Sequence, residues 1–104
     1  MTNDRLEMLK SMVAQNPNDS FMRYGLAMEY RNTGDLEAAM AEFGALMTQA
    51  PDYAATYFHA GQTLERLGRP EEARQVYEQG ITVTGRKGDS HARSELQAAL
   101  DLLG

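Results

Sequence analysis

Two stretches decide the reading of this chain: GDLEAAMAEFGALMTQAPD, residues 34–52, and GRPEEARQVYEQGITVTGR, residues 68–86. Each opens on a Gly turn and continues into Ala, an aromatic residue and further apolar positions. Laid over one another at an offset of 34 they pair Gly34 with Gly68, Glu37 with Glu71, Ala39 with Ala73, Phe43 with Tyr77 and Met47 with Ile81. Extended outward, the same offset pairs Pro17 with Pro51, Tyr24 with Phe58 and Leu9 with Phe43. A period in the range of about 20 to 50 residues marks a stacked array, because one such unit cannot bury its apolar face alone.

Breakers split each unit into two helices. Asn16-Pro17-Asn18-Asp19 stops one helix and caps the next, since Pro cannot continue a helix and Asp accepts from the unpaired N–H groups at a start. Thr33-Gly34-Asp35 is the turn within the first unit, with Gly free to take the left-handed conformation and Asp35 placed as a cap. Ala50-Pro51-Asp52 and Leu67-Gly68-Arg69-Pro70 repeat this punctuation, and Gly85-Arg86-Lys87-Gly88-Asp89-Ser90 leads into a last helix. The pattern predicts six helices, near 3–15, 19–32, 35–49, 53–66, 70–83 and 90–103, and no strand.

Periodicity assigns the faces. From Asp19 onward, Leu26, Ala27 and Tyr30 share one side while Phe21, Tyr24 and Met28 cluster on roughly the opposite one, so this helix needs two neighbours. Likewise Tyr57, Ala60, Gly61 and Leu64 oppose Phe58. The helices from Asp35 and Pro70 carry single stripes, Leu36, Ala39, Met40, Phe43, Leu46 and Met47 in one and Ala73, Tyr77, Gly80 and Ile81 in the other. Small residues at Ala27, Ala39, Gly61, Ala73 and Gly80 predict close backbone approach, with Tyr30, Phe43, Leu64 and Tyr77 filling the space. The last helix, with Ala92, Leu96, Ala99, Leu100 and Leu103 on one side, reads as a terminal cap with a polar back. In the first helix Met8 and Met12 widen the stripe of Leu6, Leu9 and Val13; they are either a self-association surface or flexible filling for irregular gaps.

Arg23-x2-Leu26-Ala27-x2-Tyr30 followed by Ala39-x3-Phe43 and Pro51 resembles the tetratricopeptide repeat, as does Tyr57-x2-Ala60-Gly61-x2-Leu64 followed by Ala73-x3-Tyr77. The departures are Arg23, where a large aromatic is common, and Gly85 in place of the terminal Pro. The resemblance implies an all-α, right-handed superhelix of six antiparallel helices in one domain: 1–17 the second helix of an incomplete repeat, 18–51 and 52–85 two repeats, and 86–104 a capping helix. It also implies that the first helix of each pair lines a concave groove for an extended peptide or a helix of another protein. Carried over residue by residue, that groove comprises Phe21, Tyr24, Met28, Arg31 and Asn32, beside Ala55, Phe58, His59, Gln62, Glu65 and Arg66. Its partner offers apolar anchors, and Arg31 and Arg66 are each able to take a carboxylate in bidentate fashion. Tyr24 and Phe58 fit a groove and a core equally well, because a bifacial pattern arises from either. One branch of the family grips chaperone C-terminal carboxylates with Lys and Asn. Tyr24, Met28 and His59 stand at the matching places, which argues against that ligand.

The remaining features exclude more than they add. The chain has 104 residues, 42% of them apolar, which suffices for one small core and leaves no room for a nucleotide fold plus a substrate domain. A net charge of −5 argues against phosphate-backbone binding and hence nucleic acid. No apolar run is long enough to span a bilayer, the start Met1-Thr2-Asn3-Asp4-Arg5 lacks the order of a secretory signal, and a cytoplasmic protein is expected. There is no Cys, and His59 and His91 are the only His residues, outside any H-E-x-x-H arrangement, so no metal or cofactor is expected. His91 and Glu95 stand four apart as a helix-face pair. Gly80 to Lys87 lacks the Gly-Lys-Ser/Thr order of a phosphate loop, and Glu71-Glu72 suits the positive end of a helix dipole. Glu37, Glu42, Glu71, Glu72 and Glu78 are assigned to a solvated convex back. With no nucleophile or metal set, the expected function is a non-catalytic adaptor. The alternative is a structural module that forms a homodimer through the first helix or the groove.

Overall fold

In the computed structural model, residues 3–104 are described. The first two residues of the expected 1–17 segment, and the leader reading that used them, lie outside. The chain forms six helices: α1 (Asp4–Gln15), α2 (Ser20–Asn32), α3 (Leu36–Gln49), α4 (Ala54–Arg66), α5 (Pro70–Lys87) and α6 (Ser90–Leu103), with no strand among the described residues. Each helix packs on the next, and α6 also packs on α4. The body measures 39 × 28 × 19 Å, as a short stack of helix pairs should.

The starts and stops follow from local chemistry. The carboxylates of Asp19, Asp35 and Asp89 accept from the backbone N–H groups of Met22, Ala38 and Ala92 at 3.1, 3.2 and 3.1 Å, capping α2, α3 and α6. Gly34 and Gly68 take φ of 88° and 74°, and just beyond them the N–H groups of Asp35 and Arg69 reach back to the carbonyls of Tyr30 and Leu64, both at 2.9 Å. Only Gly adopts that left-handed φ without a Cβ penalty, so the sharp reversal between paired helices depends on it.

One boundary differs from expectation. α5 does not end near Val83 but runs through to Lys87, across the expected repeat boundary at 85, and the left-handed Gly is Gly88, φ 72°. At the corresponding places after α1 and α3 stand Pro17 and Pro51, which forbid continuation. Gly85 merely weakens a helix, and Arg86 and Lys87 favour its negative C-terminal end.

Two linked apolar clusters form the core. Ala27, Ala39, Phe43, Leu46 and Ala60 join α2, α3 and α4, while Tyr57, Leu64, Ala73, Tyr77, Val83 and Leu96 join α4, α5 and α6. The second cluster is interlocked by two ring-on-glycine contacts. Tyr77 lies against Gly61, where an added Cβ would fall inside the ring's contact distance, and Tyr57 lies against Gly80, where an added Cβ would come within 2.7 Å of its Cβ. Each Gly brings the opposing helix in by the thickness of a side chain.

Arg23, the departure from the aromatic pattern, has its own solution. Its guanidinium donates to Glu42 at 2.7 Å, to the Gln49 side chain at 3.1 Å and to the Pro17 carbonyl at 3.1 Å. Arg23 and Glu42 are only 17% and 18% exposed in their side chains. Glu42 is therefore not part of a solvated back: it replaces the packing of a large ring with an ion pair tying α2 to α3. Glu37 likewise reaches Arg69 at 2.6 Å and links the two repeats.

Candidate functional site

The first helices, α2 and α4, with α6 beyond them, present one continuous side. α6 packs on both α5 and α4, so it stands beside the first helices on this side. The centre of this side is a group of rings. Tyr24 meets Tyr53 edge-on with ring centroids 5.2 Å apart and lies 6.0 Å from His59, which meets Phe58 edge-on at 5.6 Å. Tyr24 and Phe58 are both half-buried: each rests partly on the core and opens partly into a cavity, so neither of their two sequence readings excludes the other.

Behind the rings, Arg31 Nη1 donates to His59 Nδ1 at 2.7 Å. A guanidinium has no lone pair to offer, so Nδ1 accepts and a neutral His59 carries its proton on Nε2. Burial, and then the Arg31 charge, push the His59 pKa below its ordinary value, while Glu95 opposes them. Arg31 Nε is buried without a hydrogen-bond partner, and among the described residues no carboxylate pairs with Arg31 or Arg66.

The expected groove residues do not form one pocket; they divide among neighbouring depressions. Phe21, Tyr24, Met28 and Asn32 line an apolar cavity of about 380 Å³ between α2 and α1, together with Leu9 and Met12. Arg31, Gln62 and Arg66 line a polar one of about 400 Å³ with Glu65. Phe58 and His59 open toward α6. Phe21 is 80% exposed, an unusual state for a Phe at the start of a helix.

At the α1 end, Met8 is 56% exposed and Met12 is half-buried in the cavity wall. At the repeat offset Arg5 corresponds to Ala39 and Ala73, both wholly buried where the two helices of a repeat touch. Arg5 instead extends across the open cavity to Glu29 at 2.8 Å. A helix settling onto α1 as α2 settles onto α3 would have to displace that pair.

Sequence reasoning missed Tyr53 and Leu102 as parts of this side and placed Glu95 only in its pair with His91. Tyr53 reads only as the first residue of a helix after Pro51-Asp52; it is the N-cap residue of α4, and its ring packs on Tyr24. Leu102 lies off the apolar stripe of α6 and is 90% exposed. Its neighbour Leu103, on the stripe, concealed the signal. His91 and Glu95 form an exposed pair at 3.1 Å. Among the described residues no group of three or more His, Asp or Glu is gathered to hold a metal, and no helix is long and apolar enough to cross a membrane.

Comparison with known proteins agrees with this architecture. The chain is 30% identical over 95 residues to the TPR repeat-containing protein PA0015 of Pseudomonas aeruginosa, covering 91% of this chain and 90% of that protein. A solved tetratricopeptide repeat domain protein from Salinibacter ruber is 40% identical, covers 84% of this chain and 88% of its own, and superposes with a TM-score of 0.79. The fold also matches PcrH, solved in complex with the chaperone binding region of PopD, with a TM-score of 0.87 at 14% identity over 94% of this chain and 74% of that one. The tetratricopeptide repeat model matches residues 33–100, from the turn before α3 to within α6. With its paired helices, glycine turns and Ala-to-aromatic spacing, the chain belongs to the tetratricopeptide repeat family.

Proposed function

We propose that this protein is a non-catalytic interaction module of the cytoplasm that holds a peptide or helix of a partner protein along the side formed by α2, α4 and α6. The observation that carries the reading is the uncovered apolar surface there: Phe21 stands almost free beside half-open Tyr24 and Met28 at the α1 end, and Phe58 stands half-open toward α6. Rings held by a rigid scaffold supply large contact area with little entropy to lose, which suits them as anchors. Arg31 and Arg66, without carboxylate partners of their own, supply the polar edge for an acidic group on the partner. A surface of two repeats offers an area at or below roughly 800 Å² per partner, so affinity is modest. The PcrH complex, in which a protein of the same fold holds a region of another protein, supports the reading by analogy of fold. No cofactor or metal enters into it.

The test is capture of partners from a native extract by wild type, by Phe21→Ala, and by Tyr24→Ala with Phe58→Ala. Phe21 is too exposed for its replacement to unfold the chain, so it separates binding from stability. Loss of the same captured proteins in both variants supports the proposal. Capture that is unchanged in Phe21→Ala, and also in a double variant that still melts like wild type, sinks it.

A further inference from the structure

Between α4 and α6 lies a trough that the terminal helix builds and that the reading of α6 as a plain cap did not foresee. It consists of two depressions of about 410 and 390 Å³ that share Phe58 and Glu95 and so run on into one another. Along α4 it extends from Ala54 to Glu65, roughly 17 Å at the rise of a helix. Its sides are lowered by Ala54, Ala55, Ala92, Ala98 and Ala99, which let another backbone come close. Phe58 stands in the middle, and Leu102 ends it, 90% exposed. An exposed Leu and a half-open Phe on the two walls of one alanine-lined trough form an apolar seat without an occupant in this chain.

Charge states what fits there. The carboxylates of Glu65, Asp89 and Glu95 stand along the trough, and no Lys or Arg is among the residues lining it. Glu65 accepts from the Tyr77 hydroxyl, Asp89 from the Ala92 N–H, and Glu95 faces the exposed His91. Among the described residues none of the three is paired with Lys or Arg. An occupant with acidic flanks would meet three like charges, and one with basic flanks would meet three partners. A second copy of this chain, itself at −5, brings the wrong sign in excess.

Resting on the reading of this side as a binding surface, we infer that the α4/α6 trough takes a segment of a partner protein in which apolar anchors are flanked by Lys or Arg. The apolar anchors cover Phe58 and Leu102, and the cations meet Glu65, Asp89 and Glu95. Glu65 stands where the trough meets the Arg31/Arg66 edge, and beyond it the trough carries only Asp89 and Glu95 against the two cations of that edge, so a single partner lies across the site in one direction only.

Two labelled peptides of about a dozen residues test this, one with Leu at helical spacing and Lys elsewhere, the other with Glu at every Lys. The Lys peptide should bind wild type about ten-fold more tightly than the Glu peptide in physiological salt. Leu102→Ser with Glu95→Gln, both at exposed positions, should weaken it by about five-fold or more. Glu71→Gln with Glu72→Gln, which removes more charge from the start of α5, should change it by less than about two-fold. Equal weakening by the two variants shows general attraction to an acidic protein and overturns the inference. So does preference for the Glu peptide, binding of neither peptide, or a micromolar dimer that Leu102→Ser disperses. If in any of those cases Phe21→Ala still abolishes capture from extract, the broader function stands and only the trough assignment fails.

Discussion

Replacing Gly61 by Ala and replacing Gly44 by Ala should shift stability in opposite directions, although both residues lie inside helices. Ala is the better helix former by about 1 kcal/mol, so each change carries that gain. At Gly44 nothing lies within 4 Å of the added methyl, and the gain stands alone. At Gly61 the new Cβ would meet three carbons of the Tyr77 ring, all nearer than 3.0 Å. The ring cannot yield easily: Tyr77 is wholly buried and its hydroxyl donates to Glu65. Overpacking a well-filled core costs about 1 to 3 kcal/mol, and so little freedom to relax puts this site at the upper end. The net loss is then about 1 to 2 kcal/mol. For a domain of this size that lowers the melting temperature by about 4 to 16 °C, whereas Gly44→Ala raises it by about 4 to 8 °C. Thermal melts followed by circular dichroism read both, and urea titrations with an unchanged slope show that the native state is affected. A Gly61→Ala protein as stable as wild type would refute the interlock of α4 and α5, and with it the account of how Phe58 and Gln62, on the same helix, are held in place.

Removing Arg23 as Arg23→Leu leaves Glu42 half-buried and unpaired and should cost about 1 to 2 kcal/mol in urea unfolding. Adding Glu42→Leu should recover most of that loss, and failure to recover it would show that the pair is not what ties α2 to α3. Burial and Arg31 lower the His59 pKa, so below about pH 6.5 the unfolded chain binds the proton more readily than the folded one. Stability should therefore be flat in this respect above about pH 6.5 and fall as the pH drops from there toward the folded pKa; His59→Gln should flatten the slope just below about pH 6.5, and an unaltered slope assigns it to other groups. With Arg5 tied to Glu29 across the open face of α1, light scattering at micromolar concentration should show a monomer. A dimer that Met8→Glu with Met12→Glu returns to monomer would instead place self-association on that helix.

The parts of the fold that were legible in the sequence are those encoded by local rules. Pro17, Pro51, Gly34 and Gly68 punctuate the helices because their backbone restrictions act wherever they stand. Asp19, Asp35 and Asp89 cap because a carboxylate at that position reaches the nearest free N–H groups. The end of α5 escaped the same rules because Gly85 permits a helix without requiring one, and packing of Val83 and Thr84 in the core decided the matter. The site was legible only in part. Phe21 and Tyr24 could be placed on a face by periodicity, but Tyr53 enters through the angle at which α4 meets α2, and Leu102 through the seat of α6 on α4.

By itself the sequence determined the helical repeat, its period, its turns and which residues share a helix face, since each of these depends on neighbours a few positions apart along the chain. Only the tertiary structure decided that Arg23 and Glu42 would stand in for a ring, that Arg5 would reach across to Glu29, and that the expected groove would divide into an apolar, a polar and an acid-rimmed part. Those outcomes depend on distances between helices, which are set by the summed packing of Gly61, Gly80, Tyr57 and Tyr77 and by no one of them read alone.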